Sequence, residues 1–110
     1  MSRTISPQDL KTLLGDRRHA VTLLDVRRQN DLDADPATLP GAQWKNPEQV
    51  TEWSKGLPRD PEVVIYCARG GSVSNAVLDH LLDQGIRARF IEGGIAAWKA
   101  AGGATAAKKP

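Results

Sequence analysis

Cys67 is the one cysteine in the chain, and its neighbours are built like a reaction centre. The run Val63-Val64-Ile65-Tyr66 leads straight into it, and Ala68-Arg69-Gly70-Gly71-Ser72-Val73 follow it into a helical pattern. A thiol attacks as its thiolate, and three features of this setting favour that form. The sulfur precedes a helix N-terminus, whose partial positive charge stabilises an anion. The residues from Ala68 to Ser72, two of them glycine, can curl so that successive backbone N–H groups face one point. Arg69 adds a cation. A thiolate at the floor of such a cup would attack a small anionic electrophile held by the N–H groups. The product is a persulfide if sulfane sulfur moves and a phosphocysteine if phosphorus does, by ping-pong chemistry in either case. Neither route needs a metal or an organic cofactor. An inert cysteine at a strand end is the plain alternative.

The elements around Cys67 must bring it to a sheet edge where ligands bind. Val63 to Tyr66 is short, β-branched and without polar alternation, as expected of a strand buried on both faces of a parallel sheet. Val21-Thr22-Leu23-Leu24-Asp25-Val26 reads as a second such strand, Ala42-Gln43-Trp44 as a short third, and Ile86 to Ile91 as the last. Ser6-Pro7-Gln8-Asp9 starts a helix that ends at Gly15. Pro47 to Trp53 reads as another. A third helix follows the cysteine loop, with Val73, Val77, Leu78, Leu81 and Leu82 on its apolar face and Gly85 at its end. Ser74 shares that face, so its hydroxyl should point inward as structural support of the site. Glu92-Gly93-Gly94 turns into a final helix containing Trp98.

The segment from Arg27 to Pro40 reads as a surface loop, and Gly102 to Pro110 as a flexible tail after a single domain over 1–101. His19 reads as a solvated surface residue. His80, at the edge of the apolar face, and the indoles of Trp44 and Trp53 read as structural. Strands alternating with helices imply an α/β fold, a parallel sheet with helices on both faces.

Composition narrows the function classes. The 110 residues are 40% hydrophobic and 25% charged, ordinary for a globular domain. The charge excess is +2, and its basic residues are scattered without interleaved aromatics, which argues against nucleic acid as a partner. A lone cysteine forms no internal disulfide, and Cys67, His19 and His80 make a poor metal set. The lone cysteine points to a reducing compartment, and no apolar run is long enough for a bilayer or a signal peptide, so a cytoplasmic protein is expected; with no long exposed apolar surface identifiable, a monomer is the default.

Four blocks in order resemble the rhodanese family of sulfurtransferases: Leu24-Asp25-Val26-Arg27 with Asp31-Leu32, Leu39-Pro40-Gly41-Ala42, Tyr66-Cys67-Ala68-Arg69-Gly70, and Glu92-Gly93-Gly94 with Trp98. The resemblance implies a five-stranded parallel sheet flanked by helices. It also implies that Cys67 takes sulfane sulfur from thiosulfate, releases sulfite and passes the sulfur to cyanide, a thiol or a protein. Ala68, Arg69, Gly70, Gly71, Ser72 and Val73 would hold the anion through backbone amides and rim. Asp25 and Arg27 would brace the fold near the loop, and Gly93 and Gly94 would serve as turn residues.

The chain departs from the family pattern in two places. Thr38 stands where histidine is frequent. Ser72 and Val73 stand where Arg and Ser are usual, and Ser74 follows, which suggests a loop one residue longer than the common sulfurtransferase form. A longer loop is typical of the phosphatases and arsenate reductases of this fold, but they need an arginine where this chain has Val73. The alternatives to a sulfurtransferase are therefore such an enzyme, or a non-catalytic rhodanese module that binds a partner.

Overall fold

The computed structural model describes residues 3–15, 21–34, 36–57, 62–69, 71–103 and 105–107, without the side chains of Ser72, Ala106 and Ala107. In chain order the strands are β1 (Thr4–Ile5), β2 (Val21–Asp25), β3 (Ala37–Thr38), β4 (Gln43–Trp44), β5 (Glu62–Tyr66), β6 (Ala88–Ile91) and β7 (Ala106–Ala107). The helices are α1 (Pro7–Gly15), α2 (Gln29–Ala34), α3 (Val50–Trp53, between 3-10 turns), α4 (Ser72–Asp83) and α5 (Gly94–Ala100). Five strands form one sheet in the order β1-β6-β5-β2-β4, every pair parallel.

The apolar run ending at Cys67 is the middle strand, and its pleat divides the core. Val63, Ile65 and Cys67 face a cluster with Val77, Leu78 and Leu81 of α4, with Val50 and Trp53 of α3 packed on its edge. Val64 and Tyr66 face the opposite cluster, with Leu10 of α1 and Ile95 and Trp98 of α5. Because β5 is covered on both faces it has no polar side to alternate with, the physical basis of its unbroken hydrophobic reading.

Local chemistry sets the element ends. Ser6 caps α1, its Oγ accepting from Asp9 N at 3.1 Å. Gly85, at φ 76°, ends α4 in a Schellman motif: Ile86 N donates to Leu81 O at 3.1 Å and Gly85 N to Leu82 O at 3.0 Å. The last strand accordingly starts at Ala88, two residues later than Ile86.

Three expectations are corrected. Residues 27–40 are not a plain loop, for α2 and β3 lie within them; α2 carries one buried apolar residue, Leu32, too little to give a periodic signal. The fifth strand is β1, whose two residues are likewise too few to show a pattern. The segment after residue 101 does not simply fray. Gly103 N donates to Trp98 O at 2.8 Å, and a Cβ on Gly103 would lie 2.3 Å from the Trp98 ring. The chain then pairs β7 antiparallel with β3. Glycine is what lets it pass against the indole. Leu57-Pro58-Arg59-Asp60-Pro61 reads as a turn before the central strand, but its residues 58–61, like His19 and the final residues 108–110, lie outside the described residues. Among the described residues no helix is long and apolar enough to cross a membrane.

Candidate active site

Cys67 leaves the C-terminal end of β5, the crevice where ligands of open parallel sheets bind. Its side chain is nearly buried, with 6% relative exposure, and it borders an open cleft of about 590 Å³. Three segments wall the cleft. The first runs from Arg27 and Arg28 into α2, contributing Asp31 and Ala34. The second is the cysteine loop with the start of α4: Ala68, Arg69, Gly71 and Val73. The third is one face of α5: Ile95, Ala96 and Lys99.

The loop is short. The chain leaves β5 at Tyr66 and enters α4 at Ser72, with Gly71 as N-cap. Ser72 and Val73 therefore stand in the first helical turn, where amides lack intrahelical acceptors. Gly70 lies outside the described residues. Gly71 has φ −99° and open space around its Cα, so neither backbone angle nor crowding requires glycine there. The crowded glycine is instead Gly94, at φ 65°, where a Cβ would sit 2.3 Å from Cys67 O and 2.7 Å from Arg69 N. This approach lets the first turn of α5 hold the loop from behind, Ile95 N donating to Cys67 O at 3.0 Å and Ala96 N to Ala68 O at 3.2 Å. Gly94 is thus more than a turn residue.

Beneath the loop lies a buried ion pair. Arg27 Nε donates to Asp25 Oδ1 and Oδ2 at 3.1 and 3.0 Å, and Nη2 to Oδ2 at 2.8 Å. Nη2 also donates to Ala37 O at 2.9 Å, tying the pair to β3. The two side chains are 1% and 0% exposed, so the bridge is held by geometry and not by solvent. The guanidinium stands 6.0 Å from the Tyr66 ring centroid, at the outer reach of a cation–π contact. Trp44 Nε1 donates to Arg27 O at 2.8 Å and Trp53 Nε1 to Asn46 O at 2.7 Å, structural positions as the sequence suggests. Ser74 is fully buried, and neither its Oγ nor the buried Nε2 of half-buried His80 finds a partner among the described residues.

Tyr66, the chain's one tyrosine, accepts a bond from Leu39 N at 3.2 Å. Burial and then the nearby Asp25 carboxylate push its phenol well above the usual range, against the smaller opposing effects of the Leu39 amide and Arg27. A raised folded-state value means that the protonated phenol stabilises the fold. That contribution is fully present below the unfolded value of about 10 and is lost as pH climbs beyond it. Alkaline titration of phenolate absorbance is expected to coincide with loss of far-ultraviolet ellipticity. Phenolate appearing near pH ~10 in a chain that stays folded would contradict this.

Of the site residues expected from the sequence, Arg27, Cys67, Ala68, Arg69, Gly71 and Val73 border this cleft, while Arg28 with α2 and the face of α5 were not among those expected. The signal for α5 was the Gly93-Gly94 pair directly after a strand. Arg28 and Lys99 gave none, as exposed basic residues are common everywhere. Among the described residues no three His, Cys, Asp or Glu side chains gather to hold a metal.

The model of the rhodanese-like domain matches residues 6–101. The chain belongs to the rhodanese-like family. A rhodanese-related protein of Thermoplasma volcanium is 27% identical with a TM-score of 0.82, covering 96% of this chain and 99% of its own. A rhodanese-like domain protein of Staphylococcus aureus is 25% identical with a TM-score of 0.81, covering 99% and 100%. A Rhodopseudomonas palustris protein, described as of unknown function and a possible tyrosine phosphatase, is 25% identical with a TM-score of 0.77, covering 96% and 85%. No curated protein matches. The rhodanese-like fold, with its five-stranded parallel sheet, is thus the frame on which Cys67 stands.

Proposed function

We propose that this rhodanese-like protein is a sulfurtransferase that carries sulfane sulfur as a persulfide on Cys67. The supporting observation is the position of the one thiol, at the end of the central strand and the edge of a cleft bordered by Arg28, Arg69 and Lys99. Thiosulfate binds as a dianion against the amides of Ala68 to Val73, Gly70 and Ser72 among them. The Cys67 thiolate attacks its outer sulfur, the S–S bond of thiosulfate breaks, and the electron pair leaves with sulfite. An acceptor nucleophile, a thiol or a protein in the cell, then attacks the outer sulfur of the persulfide, and the pair returns to Cys67 Sγ. Charge and electrons balance without a metal, cofactor or oxidant. A single thiol used in this way suits a reducing, cytoplasmic setting and an external acceptor.

Two features rank sulfur above phosphorus transfer, the reading suggested by the Rhodopseudomonas neighbour. Phosphoryl chemistry needs a cation at the position of Val73, whose apolar side chain cannot stabilise charge on phosphorus. Arg27, the buried cation of the cleft, is already engaged by Asp25. Intact-mass analysis after incubation with thiosulfate tests the proposal. One added sulfur on Cys67, with sulfite released in equal amount, is expected. An unchanged mass, or hydrolysis of an aryl phosphate instead, overturns it.

A further inference from the structure

Among the described residues four polar or charged side chains are buried, Asp25, Arg27, Ser54 and Ser74. Asp25 and Arg27 hold each other, and Ser54 Oγ donates to Thr51 O at 3.5 Å. Ser74 is the exception, at 0% exposure with no bond to its Oγ. A serine hydroxyl inside a helix can fold back onto a carbonyl three or four residues earlier. Gly71 O, three residues before, already accepts from Asn75 N at 3.2 Å and Asn75 Nδ2 at 3.1 Å, which occupies both of its lone pairs. A buried hydroxyl without a partner is costly and uncommon enough to need a reason.

The reason lies in where Ser74 stands on α4. β5 and β6 are parallel, so α4 between them runs back against the strands. Ser74, Val77, Leu78 and Leu81 therefore descend along its buried face from the C-terminal edge of the sheet, in the same direction as Cys67, Ile65 and Val63 descend β5. Val77 and Leu78 share a core cluster with Cys67, and Ser74 is one turn nearer the end of the strand where the sulfur lies. It belongs to the interior and not to the lining of the cleft.

Resting on the sulfurtransferase reading, we propose that Ser74 takes part in sulfur transfer, as a hydroxyl that donates to Cys67 Sγ from the core side whenever that atom carries negative charge. This happens twice in each turnover. Sγ first attacks as a thiolate, its electron pair forming the bond to the outer sulfur of thiosulfate while sulfite leaves with the pair of the broken S–S bond. Later the acceptor bonds to that outer sulfur, the bond to Sγ breaks, and its pair returns to Sγ. Between the two steps Sγ is bonded on both sides and uncharged. The loop amides face the substrate, so a donor from below serves Sγ without occupying the cleft. Such a bond forms with the charge it serves, as catalytic hydrogen bonds commonly tighten only during reaction.

The test compares Ser74→Ala with Ser74→Thr. Alanine removes an unpaired hydroxyl from the interior, so its Tm should equal or exceed that of the wild type. Its kcat for thiocyanate formation should nevertheless fall about tenfold or more, the size of one hydrogen bond to a charged atom, with the KM for thiosulfate within about twofold. Single-turnover loading from thiosulfate and discharge to cyanide, each followed by mass, should both slow. Ser74→Thr keeps the hydroxyl and adds a methyl group to a packed interior, so its Tm should drop while its rate stays within about threefold of wild type. An undiminished kcat in Ser74→Ala, or rates in both variants that merely follow Tm, overturns the role of Ser74 while sulfur transfer stands. Alkylation of Cys67 by iodoacetamide needs the same charge on Sγ and no sulfur donor, and it should slow about threefold or more in Ser74→Ala at neutral pH. If the wild-type protein does not load, the sulfurtransferase reading falls, and the alkylation rate alone then decides for or against Ser74, an unchanged rate overturning it.

Discussion

Cys67→Ser is expected to slow thiocyanate formation from thiosulfate and cyanide by at least about 10³-fold, a loss of the size seen when a covalent nucleophile is removed from an enzyme. Serine is close to cysteine in shape, and the side chain it replaces is almost buried at the end of a strand between packed layers. The fold should therefore survive, and an unchanged thermal midpoint would verify that. What disappears is the atom that accepts sulfur. An alkoxide is far more basic than a thiolate, and an O–S bond is no substitute for the persulfide S–S bond. The amides of the first turn of α4 and the rim cations remain, so thiosulfate should still bind within a few-fold of its wild-type affinity. The effect therefore falls on kcat and leaves KM nearly in place. A variant that retains the wild-type rate would place the transferring group elsewhere.

Arg27→Met is expected to destabilise the protein by about 3–5 kcal/mol, the cost of leaving a buried charge without its partner. Asp25 is fully buried, and its carboxylate accepts three bonds from the Arg27 side chain. A fourth comes from Arg27 N at 2.9 Å. Methionine fills much of the space but donates nothing from its side chain. For a domain of this size the loss corresponds to a fall in Tm of roughly 15–25 °C. The instructive comparison is the double variant Asp25→Asn/Arg27→Met, which removes both charges. It should regain a large part of the loss, because the penalty comes chiefly from the orphaned carboxylate and not from missing attraction. Equal Tm values for the single and double variants would show that packing, and not charge, is what Arg27 contributes. Since Arg27 also borders the cleft and fixes β3 through Ala37 O, the single variant should disturb the site as well.

How much of this was legible in the sequence follows from how each element is stabilised. β2 and β5 are sandwiched between layers, so burial wrote itself into unbroken runs of Val, Ile and Leu, and the cysteine at the end of one run could be placed. The apolar face of α4 located Ser74 in the interior for the same reason. α2 is held by one leucine and by its setting, and its Gln, Asn and Asp residues read as loop. The closest approach in the site, Gly94 against the carbonyl of Cys67, joins residues distant in the chain. Adjacent glycines after a strand announce a turn but not what the turn passes. The rim was illegible because charge on a surface residue acquires meaning only when three segments bring such residues to one opening.

The pairing of Thr4–Ile5 with Phe90–Ile91 has a consequence for synthesis. Of the five strands of this sheet, the first in sequence docks at the edge beside the last, although β2, β4 and β5 lie between them along the chain. At about 5–20 residues per second, β1 leaves the ribosome roughly 4–17 s before β6 exists to receive it. Such long-range closure is slow to nucleate, and an orphan strand in that interval invites pairing with other chains. Two residues are a small target. By keeping β1 this short, the chain limits the exposed edge it carries while it waits for its own C-terminal half.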